Sequence, residues 1–193
     1  MGASTMHCSP KYHITVMVLA AGAAMAQTPT YNVGRVPTAE EVRAWDIAVG
    51  PSGKELPAGS GTAKDGAKVY AQKCAACHEP TGVEGPATPL SGGKGTLTSL
   101  NPKRTIGSYW PYATTLWDYI NRAMPFNSPG TLSANEVYAL TAFLLFRNDI
   151  VKESDPINAK SLPQIHMPNR EAFFPSPVPQ WKPGEKRQSG VYP

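Results

Sequence analysis

Apolar residues recur at helical spacing in three stretches of the chain, and each stretch carries its own boundary signals. The sharpest begins at Ser133. That serine stands as an N-cap, Glu136 closes a capping box three residues on, and Val137, Leu140, Phe143, Leu144 and Phe146 follow on a helical period. A second set, Leu116, Tyr119 and Ile120, opens near Pro111, a favoured first-turn residue, and stops at Pro125. A third helix is predicted from Ala63 into the cysteines. Thr62 and Asp65 form its capping signal, and Gly66 and Tyr70 share one face, where a partner helix can pass close over the glycine. A shorter helical candidate has Thr38 as N-cap, Glu41 three residues later, and Val42 and Trp45 as apolar contacts.

The intervening segments are dominated by helix breakers. Residues 79–101 hold Pro80, Gly82, Gly85, Pro86, Pro89, Gly92, Gly93 and Gly95, which excludes a long regular element and predicts a loop that wraps something. Eight prolines between Pro156 and Pro193 predict an extended tail. No internal repeat and no convincing strand is visible. The expectation is an all-α fold with extended Pro-rich arms at both ends, divided as 27–61 (an N-terminal arm with one short helix), 62–148 (the helical domain) and 149–193 (the C-terminal arm).

Residues 1–26 read differently. Lys11 precedes an apolar run from Ile14 to Ala26 that ends in Ala24-Met25-Ala26, the pattern of a cleaved export signal. The run is shorter than the ~20 residues a membrane-spanning helix needs. A periplasmic chain beginning at Gln27, with no membrane span after cleavage, is the expectation. Cleavage removes Lys11 and no acid, so the formal charge of +4 falls by one. The remaining basic residues are interleaved with acids, which argues against nucleic-acid binding. Cys8 leaves with the signal, so Cys74 and Cys77 remain as the only thiols.

Those two cysteines carry the chemistry. Cys74-Ala75-Ala76-Cys77-His78 is the attachment pattern of haem c: two sulfurs about one helical turn apart meet the vinyl-bearing edge of one porphyrin, while the adjacent imidazole reaches the iron. A thioredoxin-type pair would follow a strand rather than a capped helix. A zinc site would need ligands that the chain lacks beyond His166. The sixth iron position has Met124, Met167 and His166 as candidates, or stays open; Met124 is favoured because Pro125 ends the helix there and turns the sulfur off its face. His78 needs its second ring nitrogen fixed, and the Pro86 carbonyl is the expected acceptor, with Pro89 in the same loop. Arg104, Tyr109 and Trp110 are candidates to meet the haem propionates, against the alternative that the aromatic rings simply pack.

Residues 62–148 resemble the class I cytochromes c in Gly66-x-x-x-Tyr70 before Cys74-x-x-Cys77-His78, in the loop proline, in Met124-Pro125 and in Ala142-Phe143-Leu144. The resemblance implies that the first and last helices cross, with Gly66 and Tyr70 meeting Phe143. A closer likeness covers nearly the whole chain after the signal: Tyr31-Asn32-Val33-Gly34, the stretch from Asp46 to Gly53, the run from Tyr109 to Tyr119 and Ile165-His166-Met167-Pro168-Asn169-Arg170 are similar to the SoxD-like cytochrome subunits of bacterial sulfite or sulfane dehydrogenases. That resemblance implies a non-catalytic electron-transfer subunit. It would accept electrons from a molybdenum-cofactor subunit that oxidises a sulfur compound and pass them to a downstream cytochrome or oxidase. The chain has one haem-attachment motif, where longer members have two. The alternatives are a freely diffusing carrier, a subunit of another periplasmic dehydrogenase, and a haem enzyme or sensor with an open sixth site.

Overall fold

The computed structural model describes residues 33–173. The expected export signal, Tyr31-Asn32 and the chain beyond residue 173 lie outside them. The chain separates into two units, one ending at Arg43 and one starting at Ala44.

Thr38, in the first unit, caps helix α1 (Ala39–Trp45). Its hydroxyl accepts from the Glu41 N–H at 3.2 Å, the Glu41 carboxylate accepts from the Thr38 N–H at 2.8 Å, and Arg35 forks onto the same carboxylate. The helix is therefore held by local polar contacts. No residue of α1 is buried, and Val42 and Trp45 are exposed where the sequence pattern had them packing.

The second unit is organised around α5 (Ala134–Arg147), which starts at Ser133 through the complete capping box with Glu136. Residues Val137 to Ala142 are all buried, so the helix has an apolar surface nearly all round and needs cover on more than one side. One side is met by α2 (Ala63–Lys73), capped by Thr62 onto the Asp65 N–H. The two helices touch at Gly66, where a Cβ would stand 1.9 Å from the Ala139 carbonyl oxygen and 2.7 Å from the Phe143 Cβ. Tyr70, one turn on, lays its ring 5.0 Å from that of Phe143. At the far end of α2, Lys73 reaches Glu136 at 2.7 Å. That hydrogen bond, with the Ser133 cap, holds the Glu136 carboxyl down at about 2.

A break at Cys74 (φ −123°) separates α2 from the single turn α3 (Ala75–His78). After the long loop comes α4 (Ala113–Ala123), whose Leu116, Trp117 and Ile120 enter the same core. It starts two residues later than Pro111 suggested. Tyr112 is extended and forms an antiparallel bridge with His166 of the tail, so the residue after the proline serves a tertiary pairing rather than a first turn.

The arms cover the rest of α5. Strand β1 (Ser60–Gly61) pairs antiparallel with β2 (Ile157–Asn158), in the register Ser60–Asn158 and Gly61–Ile157. Two residues per strand are too few to leave an alternating pattern in the sequence, which is why none was expected. The Tyr138 hydroxyl donates to the Pro57 carbonyl at 2.8 Å, and Ile157, Leu162 and Met167 are buried in the core. The tail also contains 3₁₀ turns at Leu162–Gln164 and Arg170–Ala172, in place of purely extended chain. Pro163 sits in a first turn, where its missing N–H leaves no bond unmade. Val49 N–H donates to the Asp118 carboxylate at 2.8 Å, tying the segment before β1 to α4. Burial alone would raise the Asp118 carboxyl. Its bonds to Arg122 and Val49 outweigh that and hold it below the ordinary carboxylate range. Among the described residues, no helix is long and apolar enough to cross a membrane.

Gly66→Ala tests the helix crossing. The added methyl meets backbone rather than a side chain that can rotate away, so the expected loss is about 1–3 kcal/mol of unfolding free energy in denaturant titration, toward the upper end of that overpacking range.

Candidate haem site

Cys74, Cys77 and His78 are presented by the junction of α2 and α3. Cys74 packs against the apolar core, and burial pushes its thiol up to about 11, with nearby Lys73 opposing the rise. Cys77 is exposed, and neither cysteine is in a disulfide. The Tyr70 hydroxyl donates to the Glu79 carbonyl at 2.9 Å, and burial first of all raises its phenol to about 12, so it remains a donor. It thereby pins the chain leaving His78, a role that the pairing of Gly66 and Tyr70 in the sequence did not reveal.

The His78 Nδ1 stands 3.1 Å from the Thr88 carbonyl oxygen. A carbonyl only accepts, so Nδ1 carries the proton and Nε2 presents a lone pair. Thr88 thus takes the place expected for Pro86, which is exposed in the loop. The displacement has a local cause. Gly85 adopts φ +147° and Ala87 N–H bonds back to the Cys77 carbonyl at 3.1 Å, so the chain turns past Pro86 before a carbonyl comes beneath the ring.

The candidates for the sixth iron position occupy different environments. Met124 is the C-cap of α4: its N–H bonds to the Ile120 carbonyl, its backbone is extended, and its side chain is half-buried against the core. The Met124–Pro125 peptide is cis. Met167 is fully buried in the core, whereas His166 is exposed and stands 3.6 Å from Glu171. The residues expected at the propionates lie in order along the approach to α4. The Arg104 guanidinium sits over the Tyr109 ring at 5.4 Å, and Trp110 meets Tyr119 edge-on at 5.9 Å. The tail reinforces this stretch, with the Asn169 amide donating to the Tyr109 carbonyl at 2.8 Å and Phe173 edge-on to the Tyr109 ring.

The donor set fits haem c. It has two unpaired thiols flanking a turn, an imidazole with its tautomer fixed for metal binding, and a thioether at the edge of the same core. Fold and donor set together define a c-type cytochrome of class I, an electron-transfer module.

Comparison narrows this further. Residues 61–144 match the family described as cytochrome c oxidase, cbb3-type, subunit III. The solved sulfane dehydrogenase SoxCD from Paracoccus pantotrophus contains a chain that is 43% identical, with a TM-score of 0.70, over 77% of this chain and 73% of that one. No curated protein matches the sequence. The chain belongs to the class I c-type cytochromes, and within them to the SoxD-like cytochrome subunits.

The unlike surroundings of the two cysteines predict an order of reactivity in haem-free protein. Timed alkylation near neutral pH, read by peptide mass spectrometry, should label Cys77 at least about tenfold faster than Cys74, because the buried thiol has little thiolate.

Proposed function

We propose that this chain is a periplasmic mono-haem cytochrome c that serves as the electron-accepting subunit of a molybdenum-cofactor sulfite or sulfane dehydrogenase in sulfur oxidation. The observation that carries the reading is the reach of the SoxCD match. It spans 77% of the chain, whereas the cytochrome-family match ends at residues 61 and 144, so the likeness extends into arms that an ordinary carrier does not need. In this reading residues 1–26 are the cleaved leader, 62–148 form the haem domain, and 27–61 and 149–193 are its arms.

The residues divide the work as follows. Cys74 and Cys77 would hold the haem through thioethers, each S–H adding across a vinyl group. The group supplies a one-electron ferric/ferrous couple when bound. His78 would ligate through Nε2 while the Thr88 carbonyl holds its Nδ1 proton, which makes the imidazole a stronger donor. Met124 would supply a second ligand to the iron, a thioether, which raises the potential relative to a second histidine. Arg104, Tyr109 and Trp110 would offer donors to the haem propionates. Substrate oxidation belongs to the molybdenum subunit, and this chain passes single electrons onward to another cytochrome or an oxidase.

Met124→Ala should abolish the thioether-to-iron absorption band. Met167→Ala should keep the band and instead cost about 2–5 kcal/mol of stability, as a core truncation does. The reverse pattern would move the ligand to Met167. For the partner, protein isolated gently from its native periplasm should carry molybdenum in fixed ratio to haem, and its haem should be reduced on adding sulfite or a sulfane compound. A molybdenum-free cytochrome that neither compound reduces would leave a general electron carrier.

A further inference from the structure

The loop that supplies the acceptor for His78 is not held by its own turns alone. It is fastened at both ends to the C-terminus of α5. The Arg147 guanidinium donates to the Thr81 carbonyl at 2.9 Å, and the buried Ser91 hydroxyl donates to the same oxygen at 3.2 Å. The Asn148 amide donates to the Leu90 carbonyl at 3.2 Å and to the Leu144 carbonyl at 2.8 Å, bridging the loop to the last turn of the helix. Leu90 N–H returns to the Gly82 carbonyl at 2.8 Å, closing the loop into a ring. Gly107 backs the asparagine so closely that a Cβ there would lie 2.5 Å from its Oδ1.

Thr88 lies inside this ring, two residues before Leu90. The residue between them is Pro89, whose ring fixes its own φ and restricts Thr88 to extended backbone. The Leu90 carbonyl also accepts from the Ile106 N–H at 3.3 Å, so Asn148 shares the hold on Leu90, and the restricted backbone at Thr88-Pro89 limits how far the Thr88 carbonyl moves independently of it. We propose that Asn148 is a positioning residue for the proximal histidine: by fixing Leu90 it sets how closely the Thr88 carbonyl engages His78 Nδ1, and so tunes the reduction equilibrium of the iron. This rests on the proposed ligation by His78. It does not depend on any dehydrogenase partner.

Asn148 also caps α5, and a capping role alone would alter stability without touching the histidine. The test separates the two on the isolated holo-cytochrome. Asn148→Ala lets the carbonyl recede, weakens the imidazole as a donor and favours ferrous iron. The expected shift is about threefold to tenfold in the reduction equilibrium, with faster solvent exchange of the His78 Nδ1 proton by NMR. Gly107→Ala leaves Asn148 in the sequence but forces its side chain aside, and should move both readings in the same direction. It also decides the matter if Asn148→Ala fails to fold. An optical spectrum lacking His78 ligation in the unaltered protein would remove the premise and so overturn the proposal. Folded variants that lose stability while both readings stay at the unaltered values would show that Asn148 only caps the helix.

Discussion

The backbone contact between α2 and α5 at Gly66 is the constraint on which the rest of the domain depends. Helix α2 buries only Ala63, Gly66 and Tyr70 of its eleven residues, too little apolar surface to dock by ordinary side-chain packing. It compensates by approach. With no Cβ at Gly66 the helix lies directly on the Ala139 carbonyl, and that depth lets the Tyr70 ring reach Phe143 and Lys73 reach Glu136. Since Cys74 follows Lys73 immediately, the position of the turn carrying the two cysteines and His78 is set by how α2 sits on α5.

The same helix explains why the arms are part of the domain. A helix buried on one stripe needs one partner, but α5 buries six consecutive residues from Val137 to Ala142. Helices α2 and α4 cover part of that surface. The segment ending at β1 and the tail from β2 to Met167 cover much of the remainder, and the Tyr138 hydroxyl finds its acceptor in Pro57. Between Ala44 and residue 173, then, the chain flanking the helices contributes part of its apolar surface to the core. Val49, Ile157, Leu162 and Met167 are buried there, while Trp45, Ile47 and Phe173 remain exposed.

Much of this was legible in the sequence because its signals are local. A serine or threonine with an acid three residues on specifies a helix start through two hydrogen bonds within four residues, and both Thr62 and Ser133 start helices as read. The attachment motif is likewise contained in five residues. What escaped depends on distant partners or loop geometry. Thr88 rather than Pro86 meets His78 because positive-φ glycines and the bond from Ala87 to Cys77 choose which carbonyl arrives there. The start of α4 is moved by His166, fifty-four positions away along the chain, through its bridge to Tyr112. The apolar pattern of Val42 and Trp45 predicted contacts, yet α1 forms without them because Thr38, Glu41 and Arg35 satisfy it locally.

The two sides of the candidate haem site are held by different parts of the chain. On the His78 side the restraint comes from α5, through Arg147 and Asn148 to the loop, together with Tyr70 pinning Glu79. On the Met124 side it comes from α4, which is tied near its start to the tail by Tyr112 and His166 and in its middle to the chain before β1 by Asp118 and Val49. Neither set of ties uses the other's residues, so each proposed ligand is fixed by its own network. A carrier that exchanges single electrons needs a site organised before the electron arrives. The arms, through their hold on α4, thereby help to place the residue proposed as the second ligand.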